Sequence, residues 1–168
     1  ANMSHEIRTP INVVLGMNEM ILRENKDEAI AEYADNIKSA SNLLLSLIND
    51  ILDFSKIEAG KLQIVENDYV LSTLLNDVAL GADIRAKQKQ LAFRLDIDKT
   101  LPAILHGDDI RIRQILNNLL SNAVKYTEKG SVTLTARGIW EAESFYLLFS
   151  VKDTGIGISK EDMAKLFD

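Results

Sequence analysis

A histidine near the start of the chain is followed by an acid and, four residues on, by a threonine: His5, Glu6 and Thr9. An imidazole nitrogen attacks phosphorus near neutral pH, and a neighbouring carboxylate can hold or deprotonate the ring. On a helix Thr9 shares a face with His5, where its hydroxyl can orient a water molecule. The spacing therefore indicates a phosphate acceptor on a helix. A solvated surface histidine is the alternative for His5 taken alone.

A second polar set recurs later at helical spacing: Gln114, Asn118, Asn122, Lys125 and the adjoining Tyr126. Carboxamide oxygens suit magnesium, which shares phosphate oxygens and keeps several waters, and a lysine adds a positive charge for phosphate. The Tyr126 ring offers a surface for a purine. The same helix is predicted to turn a second set toward the core, namely Ile115, Leu116, Leu119, Leu120 and Ala123. An ordinary solvated face is the alternative, but asparagine is a poor helix former.

A third cluster, Asp153, Gly155 and Gly157, follows a predicted strand. A carboxylate at a strand end can accept a hydrogen bond from an exocyclic amine, which selects adenine over guanine. The two glycines permit positive φ and a close approach of the backbone to a ligand. Alone, this pattern also fits an ordinary turn.

In this order, the strings from His5 to Pro10, from Asn118 to Thr127 and from Asp153 to Gly157 resemble the core of a sensor histidine kinase. The resemblance covers essentially the whole chain. It implies that His5 is phosphorylated, that Glu6 acts as base and that Thr9 supports phosphatase activity.

The same resemblance implies an ATP site with Mg²⁺. Asn122 would ligate the magnesium, Asn118 would help to place the phosphates and Asp153 would read adenine. The remaining nucleotide contacts would come from Lys125, Tyr126, Gly155 and Gly157.

The activity implied is ATP-dependent autophosphorylation of His5, followed by transfer to an aspartate of a response regulator receiver domain. Members of the wider superfamily outside the kinases typically carry a water-activating glutamate at the position of Asn118, so asparagine favours transfer over an ATP-driven clamp of the chaperone or topoisomerase type. A non-catalytic dimeric signalling scaffold is the other alternative. We expect the chain to stop before the second glycine box of the family, with Phe167 as the first residue of the phenylalanine box.

Composition narrows the function classes. The 168 residues suffice for one ordinary domain or two small ones. A net charge of −6 and a pI of about 5.0 disfavour a nucleic-acid-binding surface. The absence of cysteine excludes disulfides and thiolate chemistry. No apolar run is long enough to cross a bilayer. We expect a cytoplasmic segment without membrane contact, in a parent protein that can itself be membrane-anchored.

The first 60 residues read as two helices. The first is predicted over residues 3–24, with a bend at Pro10. The second carries a heptad pattern: Ile30, Tyr33, Ile37, Ala40, Leu44, Leu47, Ile51 and Phe54. Leu43 and Ile48 widen this stripe, which suits a four-helix bundle made by two copies. We therefore predict a homodimer through residues 1–60, the alternative being a hairpin packed on its own chain.

Residues 61–168 are predicted to form an α/β sandwich with one mixed sheet, so the fold class of the whole chain is α+β. Strands are expected at 61–65, 91–97, 132–136 and 145–151, with helices at 71–89, from Asp108 or Asp109 to Tyr126, and from Lys160. The segment from Leu101 to Gly107 is expected to be a loop. His106 and Trp140 match no motif.

Overall fold

The structure is a computed structural model that describes residues 2–142 and 144–163, with side chains at 7–142, 144–159 and 161–163. It divides into two compact units, Ala1–Gln63 and Ile64–Asp168. Within the described ranges, none of the helices combines the length and the apolar character needed to cross a membrane.

The first unit is a helical hairpin, as predicted. Helix α1 spans Asn2–Glu24 and helix α2 spans Glu28–Glu58. The Asp27 carboxylate caps α2 by accepting from the backbone N–H groups of Ala29 (2.9 Å) and Ile30 (3.4 Å). At the other end the chain turns at Gly60, whose φ of +64° favours glycine.

Inside the hairpin the contact between the helices is partly polar. Asn18 is buried and donates its Nδ2 to the Ala34 carbonyl at 2.6 Å, and Ile11 is buried on the same helix. Arg8 donates to Asn49 Oδ1 at 3.0 Å, which adds a second cross-link between α1 and α2. These contacts fix the register of the two helices.

The large residues of the predicted heptad stripe on α2 are not buried against α1. Ala34 is buried and Leu45, Ile48 and Leu52 are half-buried, whereas the large residues of the predicted stripe remain 44–66% exposed in the single chain. These exposed residues are Ile30, Tyr33, Ile37, Leu44, Leu47, Ile51 and Phe54. Among the side chains described in this unit, none covers this apolar surface of α2.

The second unit contains five strands and three helices among its described residues. The elements are β1 Asn67–Val70, α3 Leu71–Gln88, β2 Ala92–Ile97, β3 Ile104–Gly107, α4 Asp109–Lys125, β4 Ser131–Glu141, β5 Ser144–Asp153 and α5 Lys160–Met163. Strands β2, β4 and β5 form a mixed sheet in which β2 and β4 are parallel and β4 and β5 antiparallel. Strands β1 and β3 form a separate antiparallel pair.

The structure differs from the sequence-based prediction at one expected strand and at one expected loop. The expectation of a single sheet was also wrong, since the strands form two sheets. Residues 61–65 form no strand, because the Val65 N–H donates to the Asp108 side chain at 3.0 Å instead of to a sheet partner. The segment expected to be a loop up to Gly107 contains β3, which pairs with β1 in the register Asp68 to His106. The other helices and strands lie where the sequence placed them, within a few residues.

The core of this unit lies between the mixed sheet and helices α3 and α4. Val132, Leu134 and Ala136 alternate on β4 and are fully buried beneath the two helices. Helix α3 contributes Leu71, Leu74, Leu75, Val78, Ala82 and Ala86, and α4 contributes Leu116, Leu120, Ala123 and Val124. Burial of this set fixes which face of α4 points away from the sheet.

Two α4 residues predicted to face the core do not. Ile115 is 58% exposed and Leu119 47% exposed. They line a cavity of about 480 Å³ together with residues of β5, namely Phe145, Leu147 and Phe149. The buried stripe of α4 is therefore narrower than the sequence suggested, since one flank of the helix borders this open cavity.

Candidate functional site

The exposed face of α4 carries the predicted polar stripe. Asn118, Asn122 and Lys125 are exposed, and Gln114 is half-buried and accepts from Arg111 at 2.8 Å. Within the described part of the chain, the carboxamides of Asn118 and Asn122 make no hydrogen bond. Two adjacent carboxamides that α4 holds toward solvent keep their oxygens available for a ligand.

The side chain that caps the start of α4 also holds the segment before β1. Asp108 accepts from the Arg111 N–H at 3.0 Å through Oδ1 and from the Val65 N–H at 3.0 Å through Oδ2. These two backbone hydrogen bonds hold the pKa of the Asp108 carboxyl below its ordinary value. The predicted choice between Asp108 and Asp109 as N-cap is thus resolved in favour of Asp108.

At the other end of α4, a lysine and an aromatic ring lie side by side. The Lys125 ammonium lies 5.1 Å from the centroid of the Tyr126 ring, within cation–π distance. Tyr126 is 49% exposed, so part of the ring remains open to a second planar group.

The turn after β5 meets this same end of α4. Asp153 is the last residue of β5, and its Oδ1 accepts from the Gly155 N–H at 2.8 Å. The Ile156 N–H donates to the Tyr126 carbonyl at 3.3 Å. The structure therefore brings Asp153 and Gly155 together with Tyr126, although these residues are far apart in sequence.

The two glycines of this turn serve different purposes. A Cβ on Gly155 would overlap the Tyr126 carbonyl oxygen, so Gly155 is required by close backbone approach. Gly157 has a φ of +72° and open space around it, so it is required by its conformation. The predicted positive φ is found at Gly157 and not at Gly155.

The donor set on α4 fits a magnesium ion that is shared with phosphates. No cluster of three or more histidine or acidic side chains suited to a metal occurs in the described ranges, so a site built from protein ligands alone is not seen there. Magnesium commonly keeps waters and takes phosphate oxygens, and needs only one or two protein oxygens. The unpaired Asn122 carboxamide meets that requirement.

The predicted acceptor residues lie on α1 of the first unit. His5 and Glu6 fall within the helix, but their side chains lie outside the described residues. Thr9 is exposed, and with Arg8, Asn12 and Val13 it lines an open cavity of about 390 Å³. Pro10 lies inside α1, which continues to Glu24.

Some structurally important residues near these sites were missed by sequence reasoning. The Lys89 ammonium contacts the last carbonyls of α4, and the buried Thr127 hydroxyl donates to the Ala123 carbonyl at 2.7 Å. Thr154 accepts from the Ser131 N–H at 3.0 Å, which holds the turn against β4. Most of these contacts are to backbone groups, which leave no residue pattern to read.

Two families match the two ends of the chain. Residues 1–60 match the His Kinase A (phospho-acceptor) domain. Residues 107–168 match the family described as histidine kinase-, DNA gyrase B-, and HSP90-like ATPase. The second range includes α4 and the turn after β5.

Individual relatives span the whole chain. It is 44% identical to the sensor protein GacS of Pseudomonas syringae pv. syringae over 99% of this chain and 18% of that protein. It is 40% identical to hybrid signal transduction histidine kinase B of Dictyostelium discoideum over 98% of this chain and 8% of that protein. The crystal structure of full-length ShkA in complex with AMPPNP matches with a TM-score of 0.77 at 35% identity, covering 100% of this chain and 35% of ShkA. The chain thus spans less than a fifth of the length of these two curated relatives.

Proposed function

Since the chain belongs to the sensor histidine kinases and carries their phosphoacceptor and ATPase domains, we propose that it transfers the γ-phosphate of ATP to His5 and then to an aspartate of a response regulator. The observation that carries the proposal is a pair of carboxamides on the exposed face of α4, those of Asn118 and Asn122, which make no hydrogen bond with any described residue. The turn after β5 meets the end of the same helix.

On the donor side, the second unit binds the nucleotide. Asp153 accepts from the adenine amine, and the part of the Tyr126 ring that is open lies against the purine. Lys125 and Asn118 hold the phosphates, and the carboxamide oxygen of Asn122 is the protein ligand of magnesium. A magnesium ion held there would supply positive charge that offsets the charge of the phosphates.

On the acceptor side, phosphoryl transfer depends on positioning more than on covalent chemistry supplied by the enzyme. A lone pair on one ring nitrogen of His5 forms the bond to the γ-phosphorus, the bond from that phosphorus to the bridging oxygen breaks, and ADP leaves. Glu6 accepts the proton of the other ring nitrogen, so the phosphorylated ring is neutral.

Thr9 supports the opposing phosphatase activity, in which water hydrolyses the acyl phosphate of a regulator. Its exposed position on α1, four residues after His5, suits a hydroxyl that orients a water toward the acyl phosphate of a regulator. The open cavity at Arg8, Thr9 and Asn12 leaves room for that water.

The acceptor unit acts as a dimer. The large residues of the stripe on α2 from Ile30 to Phe54 are 44–66% exposed in the single hairpin. A second copy of the hairpin covers such a stripe and completes a four-helix bundle.

A variant pair on α4 tests the nucleotide site. The chain is incubated with Mg-ATP labelled at the γ-phosphate, in the wild-type form, as Asn122→Ala and as Asn117→Ala. Asn117 lies on the same helix but is half-buried on its other flank. We expect label on the wild type and on Asn117→Ala, and at least a tenfold loss for Asn122→Ala, which corresponds to about 1.4 kcal/mol. Equal labelling of the two variants would contradict the site, and an unlabelled dimeric wild type would support a non-catalytic scaffold.

A further inference from the structure

The C-terminal end of α4 is capped by Lys89, the residue directly after α3. Lys89 Nζ donates to the carbonyl of Val124 at 3.0 Å and to that of Lys125 at 2.8 Å. The last carbonyls of a helix have no partner within it, and an ammonium there also interacts favourably with the helix dipole.

The neighbouring carbonyls at this end are satisfied as well. Asn122 O accepts from the Tyr126 N–H at 2.9 Å, and Ala123 O accepts from the buried Thr127 hydroxyl at 2.7 Å. The carbonyls of Val124 and Lys125 differ from these two, because the donor they share, Lys89, is distant in sequence.

Lys89 is itself held by a defined turn. Helix α3 ends there, Gln90 adopts a φ of +58°, and the Leu91 N–H donates to the Ala86 carbonyl at 2.9 Å. The Gln90 N–H bonds to the Lys87 carbonyl at 3.0 Å, which completes the hydrogen-bond pattern of a Schellman motif. Because Leu91 is buried in the core, the base of the Lys89 side chain has a fixed position.

Lys89 contacts the C-terminal end of α4, and at this end the helix meets the turn after β5 in the proposed nucleotide site. One residue beyond Lys125, the Tyr126 carbonyl accepts from Ile156 and abuts Gly155. Asn122 lies less than one helical turn before Val124 and Lys125, whose carbonyls Lys89 contacts. A displacement of this end moves the magnesium ligand and the adenine turn relative to each other.

We propose that Lys89 is a positioning residue for nucleotide binding, which acts by fixing the end of α4 against the turn after β5. This inference rests on the proposed function, because it assigns Lys89 a role in the same ATP site. Lys89 makes no contact with the nucleotide in this scheme, since its ammonium is engaged by backbone carbonyls.

Lys89→Met removes the ammonium and keeps most of the length of the side chain, and Lys89→Arg restores a donor that can reach two carbonyls. Two variants serve as controls. Lys87→Met removes a neighbouring lysine that pairs with Asp83 on the surface of α3. Arg113→Met removes the ion pair with Asp77 that links α3 to the opposite end of α4, at 2.6 Å.

The dissociation constant for Mg-ATP is measured by calorimetry for the 168-residue chain and each variant of it, together with the thermal midpoint and the hydrogen exchange of residues 122–130. We expect a five- to tenfold weaker affinity for Lys89→Met, recovery to within twofold for Lys89→Arg, and no change beyond twofold for the two controls. Exchange at 122–130 should rise in Lys89→Met and not in Arg113→Met, even where their thermal midpoints fall equally.

If the wild type binds Mg-ATP and Lys89→Met binds it with the same affinity, the role of Lys89 is overturned and the proposed function stands. The same holds if Arg113→Met weakens binding as much as Lys89→Met, since the effect would then follow stability alone. A wild-type chain that binds no Mg-ATP would overturn the proposed function and this inference together.

Discussion

Gly155 is the position in the proposed nucleotide site where the structure leaves no room for a side chain. An added Cβ would overlap the Tyr126 carbonyl oxygen, which is a backbone atom and cannot rotate away. Gly157, two residues on, has open space and only an unusual φ. The two glycines of one motif are thus required for different physical reasons.

Substitution of each glycine by alanine should separate these reasons. We expect Gly155→Ala to lower the free energy of unfolding of the second unit by roughly 3 kcal/mol, the upper part of the range for overpacking. Gly157→Ala should lower it by only about 1 kcal/mol, the usual cost of a left-handed conformation for a residue with a Cβ. Urea unfolding followed by circular dichroism measures both, and equal losses would show that the contact with Tyr126 is not tight.

The residue types at the proposed site could be predicted from sequence, but their surroundings could not. Spacing along a helix is enough to place Asn118 and Asn122 on one face, and a strand followed by glycines places Asp153 at a turn. The engagement of backbone carbonyls by Lys89 has no such signature, because any residue supplies a carbonyl. The reason for Gly155 was missed because it depends on Tyr126, which is distant in sequence.

Among the helices and strands, α4 is stabilised by its N-cap, Asp108, as well as by the burial of one face. Asp108 accepts from two backbone N–H groups, Arg111 at the start of α4 and Val65 in the segment before β1. The same carboxylate therefore begins the helix that carries Asn118 and Asn122 and holds a stretch of chain that forms no strand.

This cap should make the stability of the second unit depend on pH. The pKa of Asp108 is lower in the folded chain than in the unfolded chain, mainly because of the hydrogen bonds from Val65 and Arg111. Its contribution is therefore present above the ordinary aspartate pKa of about 3.9 and is lost as the pH falls through the lower, folded value. Asp108→Asn has no proton to gain, so its urea midpoint should fall less than that of the wild type between pH 6 and pH 3. Identical falls would show that this cap does not contribute.

The elements were predicted best where a single periodicity runs for many residues. Helices α1 and α2 follow from such patterns, and so do strands β4 and β5. The short strands β1 and β3 did not follow from such patterns. Each has four residues, and β3 comes just after Pro102 and ends at Gly107, two residues that are typical of turns. For short strands the partner decides the conformation, and the partner is not adjacent in sequence.

At the scale of the whole molecule, the exposed stripe of α2 predicts the oligomeric state. Leu47 is 51% exposed at the centre of this stripe, whereas Ser46 is exposed on another face of the helix. A charge at Leu47 has to be desolvated when two hairpins associate, and a charge at Ser46 stays in water.

We therefore expect Leu47→Glu to shift the chain from dimer to monomer and Ser46→Glu to leave the dimer intact. Sedimentation velocity over a range of chain concentrations distinguishes the two states, with a dissociation constant at least a hundredfold higher for Leu47→Glu, or about 2.7 kcal/mol. A monomeric wild type, or a dimer that tolerates the charge at Leu47, would contradict the four-helix bundle.

In the proposed function, a phosphoryl group passes from a nucleotide on the second unit to His5 on the first. The chain contains two histidines, so His106 provides a matched control on β3, where its Nδ1 lies 2.8 Å from Asp68 Oδ1. The most direct measurement is incorporation of acid-labile, base-stable phosphate from Mg-ATP into the wild type, His5→Gln and His106→Gln. We expect label on the wild type and on His106→Gln and none on His5→Gln. Label that persists in His5→Gln, or that is stable to acid, would contradict the proposed function.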